Sequence, residues 1–199
     1  AGTSGVHPSK VAAPWRRPPA GHDPMPAMQP GKATSGARSL APHVEPVRAE
    51  AVRRFEASHP GLRLSPVVVV IAALNERGAI ADVVRRIPRP ACGLPVDTIV
   101  VDDGSSDGTG EAAERAGALV ARLERNCGHG VALRLGYQLA KEQGARFIVT
   151  LDADMQWDPV EIPTVLEPLA AGDADFVIGS RALGTAETDD AFRSAGVTV

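Results

Sequence analysis

The chain has 199 residues, room for one ordinary domain with additions or for two small ones. It is 44% hydrophobic and 23% charged, a mix that excludes wholesale disorder, and its two cysteines, Cys92 and Cys127, exclude a disulfide scaffold or a four-cysteine zinc module. A formal net charge of −3 argues against a nucleic-acid binder, and the longest apolar run, Val67 to Leu74, is far short of the roughly 20 residues a bilayer span needs. Arg16 and Arg17 precede no apolar stretch, so no secretory signal is readable, and the expectation is a soluble, reduced, cytoplasmic protein.

Composition changes near residue 60. Residues 1–60 carry ten prolines, five glycines and only seven Val, Leu, Ile or Phe. Such a segment buries too little apolar surface to offset backbone ordering, which costs about 1–2 kcal/mol per residue, and a disordered tail is expected. It holds 8 basic and 4 acidic residues against 13 and 20 in the remainder, a weakly basic arm next to an acidic body. Such an arm allows peripheral contact with an anionic membrane surface. Within it, 44–57 could form a short helix with Val47, Val52 and Phe55 on its apolar side.

From residue 61 onward, strand-like and helix-like segments alternate. The β-branched run 66–73 predicts a strand covered on both faces. Residues 77–87 put Ile80, Val83, Val84 and Ile87 on one helical face before Pro88. A second strand is expected over 96–101, a short helix over 111–116 and a third strand over 118–123. The segment 130–143 reads as a helix stopped by Gly144, followed by a fourth strand over 146–151. Asp158-Pro159-Val160-Glu161 is a helix start, with Pro163 and Pro168 keeping that helix kinked or short, and a fifth strand is expected over 174–179. This alternation predicts an α/β fold, a mostly parallel sheet with helices on both faces.

In such sheets ligands bind beyond the carboxyl ends of the strands. Every predicted strand here delivers polar groups to that edge: Asn75 and Glu76; Asp102 to Thr109; Asn126, Gly128, His129 and Gly130; Asp152, Asp154 and Gln156; Ser180 and Arg181. In an extended chain residues i and i+2 point the same way, so Asp152 and Asp154 can face one point. With the Gln156 amide they form a hard-oxygen set suited to Mg²⁺ or Mn²⁺, water and substrate phosphates completing the shell. In the Asp102–Thr109 stretch one acid could accept hydrogen bonds from a base or ribose while Ser106 or Asp107 caps the next helix. Gly128 and Gly130 permit close backbone approach at a helix start that favours anions, with Arg134 one turn further on in reach of a phosphate. Gly128-His129-Gly130 does not continue as a dinucleotide fingerprint, no Gly-Lys-Ser/Thr loop is present, and no nucleophile elbow is expected.

Together, Ala73-Leu74-Asn75-Glu76, Val101-Asp102-Asp103-Gly104-Ser105-Ser106-Asp107-Gly108-Thr109, Asn126-X-Gly128-X-Gly130, Asp152-Ala153-Asp154-Met155-Gln156-X-Asp158-Pro159 and Val177-Ile178-Gly179-Ser180-Arg181 resemble the family 2 glycosyltransferases of GT-A fold. Within the family the motifs are most similar to the polyprenyl-phosphate (dolichol-phosphate) mannosyl- or glucosyltransferase branch. The resemblance implies an inverting transferase that uses a nucleotide-diphospho-sugar (GDP- or UDP-hexose), Mg²⁺ or Mn²⁺, and a polyprenyl-phosphate lipid acceptor at the inner membrane face. By that resemblance Ala72, Leu74 and Glu76 line the nucleoside pocket, and Val101 and Asp103 hold base and ribose. Asp152, Ala153, Asp154 and Gln156 hold metal and diphosphate, with Arg181 on the diphosphate or sugar.

Ala72 stands where the family usually has proline, and Leu74 where it often has an aromatic. The acceptor-binding half of the family's fold falls beyond Val199, so a C-terminally incomplete domain over 61–199 is expected. Asp189 or Asp190 is a candidate base should the acceptor be a hydroxyl. A non-catalytic nucleotide-sugar-binding fragment, and a phosphatase with Asp152 as nucleophile and Asp154 as acid, remain alternatives.

Overall fold

The computed structural model describes residues 44–179, which fall into two units, 44–163 and 164–179. The larger unit contains α1 (Glu45–Ser58), β1 (Val67–Ala73), α2 (Ile80–Arg86), β2 (Val96–Asp102), α3 (Thr109–Arg115), β3 (Leu119–Arg122), α4 (His129–Glu142), β4 (Phe147–Asp152) and a 3-10 turn, Pro159–Glu161. The strands form one parallel sheet in the order β3-β2-β1-β4. The predicted alternation is therefore present, with boundaries shifted by a few residues.

The β-branched run of β1 explains its central place. All seven of its residues are buried, because a strand flanked on both edges and covered on both faces exposes no side chain to water. On one face Val68, Val70, Ala72, Ile99, Val101 and Ala121 pack against Val131, Ala132, Leu135 and Leu139 of α4. Helix and sheet approach closely here: a Cβ on Gly136 would lie 2.4 Å from Val70 Cγ1. On the other side α2 and α3 pack on each other, and α3 also on β2 and β3.

At the amino-terminal side the short helix that 44–57 could form is present. Residues 45–58, inside the segment expected to be disordered, form α1, and Ala51 and Phe55 (2% exposed) enter the same core as α4. Arg48 of α1 also hydrogen-bonds Gln138 of α4. Val44, Ala51 and Phe55 make a narrow stripe that is stable only against a surface already built, which the average composition of the segment does not report.

In the smaller unit, α5 (Ile162–Ala170) runs on through Thr164 to Ala170 with Pro168 inside it. The fifth strand expected over 174–179 is absent; Phe176 and Ile178 are exposed, and no ladder is formed. Alternating apolar residues make a strand only where an edge is offered to them.

Candidate functional site

The strand order reverses direction at β1: β2 and β3 lie to one side and β4 to the other. A crevice at such a switch point, beyond the carboxyl ends of the strands, is where open parallel sheets bind ligands. The register sets Asp152, the last residue of β4, opposite Ala72 of β1, and Ala72 in turn opposite Val101 of β2. Leu74, exposed, and Glu76, half-buried, follow directly after β1. The sheet thus brings the predicted nucleoside group and the predicted metal group to one edge.

Asp152, the last residue of β4, is half-buried; in the bend that follows, Ala153 is buried and Asp154 is exposed. Met155 then turns the chain with a positive φ of 61°, and the main-chain N–H of Gln156 donates to Asp154 Oδ1 at 3.0 Å. Among the described residues no hydrogen bond or ion pair engages the carboxylates of Asp152 or Glu76. No group of three or more His, Cys, Asp or Glu side chains that could hold a metal occurs among the described residues. The donor set fits a divalent cation whose remaining ligands are water and phosphate oxygens: two carboxylates at the end of β4 are hard donors that leave most of six positions open.

The two acids ending β2 have separate surroundings. Asp102 is wholly buried; its Oδ1 accepts the Ser105 amide at 2.8 Å and its Oδ2 accepts Arg122 Nε at 2.9 Å. Asp103 is 3% exposed, and its two oxygens accept the Cys127 and Gly128 amides at 2.7 and 2.9 Å. Burial pushes the Asp103 carboxyl above the ordinary aspartate value; those two amides oppose the shift, while the neighbouring Asp102 charge adds to it. The turn ahead of α4 is therefore held by a carboxylate of the chain itself, through the Cys127 and Gly128 amides that precede the first helical residue, His129. Gly104 is required beside them: its φ is +78°, and a Cβ there would lie 2.5 Å from the Arg125 carbonyl carbon.

The other predicted residues fall as follows. The Val101 side chain lies in the core at 0% exposure, so it presents no side-chain face to a ligand. Ala72 is buried, and Arg134 stands on the exposed side of α4. Arg181, Asp189 and Asp190 lie outside the described residues. Neither Ser106 nor Asp107 is the N-cap of α3, which is Gly108; Asp107 accepts the Thr109 amide at 3.0 Å from the position before it. The string Gly104-Ser105-Ser106-Asp107-Gly108 has the Gly-X-Ser-X-Gly spacing of a nucleophile elbow, contrary to expectation. Yet among the described residues no histidine hydrogen-bonds Ser106, and the string serves as a clasp on the loop after β1. Sequence analysis missed Arg122 entirely; its register opposite Asp102 was the only available signal.

The glycosyl transferase family 2 description matches residues 68–196, well over half of the chain. The chain belongs to glycosyl transferase family 2. This family 2 chain is 37% identical over 115 residues to the undecaprenyl-phosphate 4-deoxy-4-formamido-L-arabinose transferase of Pseudomonas aeruginosa, covering 53% of this chain and 33% of that protein. It is 31% identical over 121 residues to the dodecaprenyl-phosphate galacturonate synthase of Rhizobium johnstonii, covering 57% and 35%. Among solved structures, glucosyl-3-phosphoglycerate synthase of Mycobacterium tuberculosis is similar at 30% identity and TM-score 0.45, over 61% of this chain and 45% of that one. The same enzyme has been crystallised with Mn²⁺, UDP-glucose and phosphoglyceric acid. The chain spans about a third of the length of the two curated relatives. Family membership sets aside the phosphatase alternative for Asp152 and Asp154.

Proposed function

We propose that the chain is the donor-binding part of a metal-dependent, inverting family 2 glycosyltransferase that moves a hexose from a nucleotide-diphospho-sugar to a polyprenyl phosphate. The observation that carries this is that two uncommitted carboxylates, Glu76 and Asp152, stand beyond and at the carboxyl ends of the adjacent strands β1 and β4, where the strand order reverses. A carboxylate accepts hydrogen bonds and donates none, so Glu76 suits the hydroxyl and N–H donors of a nucleoside. Ala72 and Leu74 are proposed to supply apolar surface to the nucleoside, and Asp103 with Val101, at the end of β2, to hold base and ribose.

Asp152 and Asp154, with Gln156, are the residues that would hold Mg²⁺ or Mn²⁺; bound there, the cation would offset negative charge developing on a leaving diphosphate. Arg181 is proposed to add a fixed positive charge to the same group. A phosphate acceptor is already anionic near neutral pH, so the chain need not supply a strong base. The polyprenyl-phosphate assignment is supported by the names of the two curated relatives. It would bring the domain to a membrane surface; among the described residues no helix is long and apolar enough to cross one.

Calorimetric titration with UDP-glucose and with GDP-mannose, each with and without Mn²⁺, tests the proposal. Binding of one donor should depend on Mn²⁺ and be lost in Asp152→Ala and in Asp154→Ala. Unchanged affinity in both variants would overturn the metal-site assignment, and no binding of either donor would overturn the donor-binding role.

A further inference from the structure

Three successive main-chain amides after β1 donate to side chains of the loop that follows β2 and of the first residue of α3. Asn75 N reaches Ser105 Oγ at 2.9 Å, Glu76 N reaches Thr109 Oγ1 at 2.8 Å, and Arg77 N reaches Asp107 Oδ2 at 3.1 Å. The Ser106 amide answers in the opposite direction, donating to Asn75 Oδ1 at 3.0 Å. Asn75 itself has a φ of 57°, a left-handed conformation that a non-glycine residue keeps only where its surroundings over-determine it. The clasp supplies that constraint.

Thr109 stands at the centre of this arrangement. It is 0% exposed, and its hydroxyl both accepts from Glu76 N and donates to Asp107 Oδ1 at 2.5 Å. One buried hydroxyl therefore joins the loop after β1 to the start of α3. Asp107 is in turn kept below the ordinary aspartate range, first by the Thr109 hydroxyl, with the Arg77 and Thr109 amides acting in the same sense. The main chain of Glu76 is fixed in this way, while its carboxylate has no hydrogen bond or ion pair among the described residues. A fixed backbone carrying an uncommitted polar group is what a preorganised binding residue requires.

We infer that Thr109 is a positioning residue for the donor: its hydroxyl sets the Glu76 main chain, and through it the Glu76 carboxylate, beyond the carboxyl end of β1. The inference rests on the nucleotide-sugar role proposed above. Ser105 and Asp107 act in the same clasp on the flanking amides.

The test is calorimetric titration of the 199-residue chain with UDP and with GDP, each with Mn²⁺. Thr109→Val removes the hydroxyl at nearly constant volume and should weaken nucleotide binding about 5- to 30-fold, the worth of one or two buried hydrogen bonds. Thr109→Ser, which restores the hydroxyl, should recover affinity to within about threefold of the parent, well inside the value of one such bond. Leu139→Ala, in the core of α4, should lower the denaturation midpoint at least as much while leaving nucleotide affinity unchanged.

Equal affinities for Thr109→Val and the parent would overturn the inference. So would failure of Thr109→Ser to recover binding, or a loss in Leu139→Ala matching that in Thr109→Val. Should Thr109→Val not fold, Ser105→Ala removes only the acceptor of the Asn75 amide; a loss of a few-fold supports the clasp, and no loss overturns it. A parent chain that binds neither nucleotide removes the donor-binding role, and the inference with it, a result distinct from binding that the Thr109 variants leave untouched.

Discussion

Asp102 and Arg122 are register partners across β2 and β3, and the ladder converts that pairing into an ion pair: Arg122 Nε lies 2.9 Å from Asp102 Oδ2. The two members are unequal. Asp102 is wholly buried, whereas Arg122 is half-exposed and shares its guanidinium with Glu111 of α3 at 2.9 Å. Removing the arginine leaves a buried carboxylate with only the Ser105 amide, a more costly loss than that of a surface ion pair. Arg122→Ala is expected to lower stability by about 2–3 kcal/mol, discounted from a fully buried pair for the exposure of the arginine. Urea denaturation of the variant, beside Glu111→Ala with an expected loss below about 1 kcal/mol, checks the asymmetry.

Helix α4 and β1 meet through Gly136, where an added Cβ would lie 2.4 Å from Val70 Cγ1 and 3.2 Å from Val101 Cγ2. Helix propensity alone favours alanine over glycine by about 1 kcal/mol, but overpacking a filled core costs about 1–3 kcal/mol. Gly136→Ala is therefore expected to destabilise the protein. Val70→Ala removes the obstructing methyls, so the double variant should be more stable than the sum of the two single losses predicts. A denaturation double-mutant cycle measures that coupling, and strict additivity would count against the close approach.

The raised Asp103 carboxyl makes a pH prediction. Its protonated form is favoured in the folded protein, so its stabilising contribution is fully present below the unfolded value, about 3.9, and is lost as pH rises through the folded value. Asp103→Asn cannot titrate. The stability of the parent relative to Asp103→Asn should thus be greatest near the acid end and fall as the pH is raised toward neutrality. Denaturant midpoints of both proteins across that range check the sign; a relative stability that rises with pH would show that the Cys127 and Gly128 amides outweigh burial.

Helix α1 is expected to be part of the folded unit. Phe55→Ala empties a buried site in the core shared with α4, and the expected loss is about 3–5 kcal/mol. Arg53 and Arg54, by contrast, pair with Glu50 on the exposed side of α1, and their replacement by alanine should cost less than about 1 kcal/mol each. Thermal unfolding of the three variants distinguishes a docked helix from an appended one.

Much of the larger unit was legible before any coordinates, because its signals are local. The β-branched run 67–73, the stripe Ile80, Val83, Val84 and the proline after Asp158 each act through their own neighbours in sequence. The grouping of Glu76, Asp103 and Asp152 at one edge followed in the same way, since a parallel sheet places all strand carboxyl ends together. The strand expected over 174–179 is absent and the helix allowed over 44–57 is present for one shared reason: whether an apolar segment forms structure depends on whether a partner surface is offered to it.

Sequence by itself determined the alternation of strands and helices, the β1 core strand and the set of polar residues ending each strand, since residue spacing dictates which way each side chain points. Only the tertiary structure decided how the adjacent acids Asp102 and Asp103 divide their work, one paired with Arg122 and the other held by the amides ahead of α4. It also made Thr109 the hinge pin between two loops. Apart from the local Thr109–Asp107 bond, the partners in these contacts lie 20 to 33 residues apart along the chain, and nothing local in the sequence specifies which of many polar groups will meet once the strands are aligned.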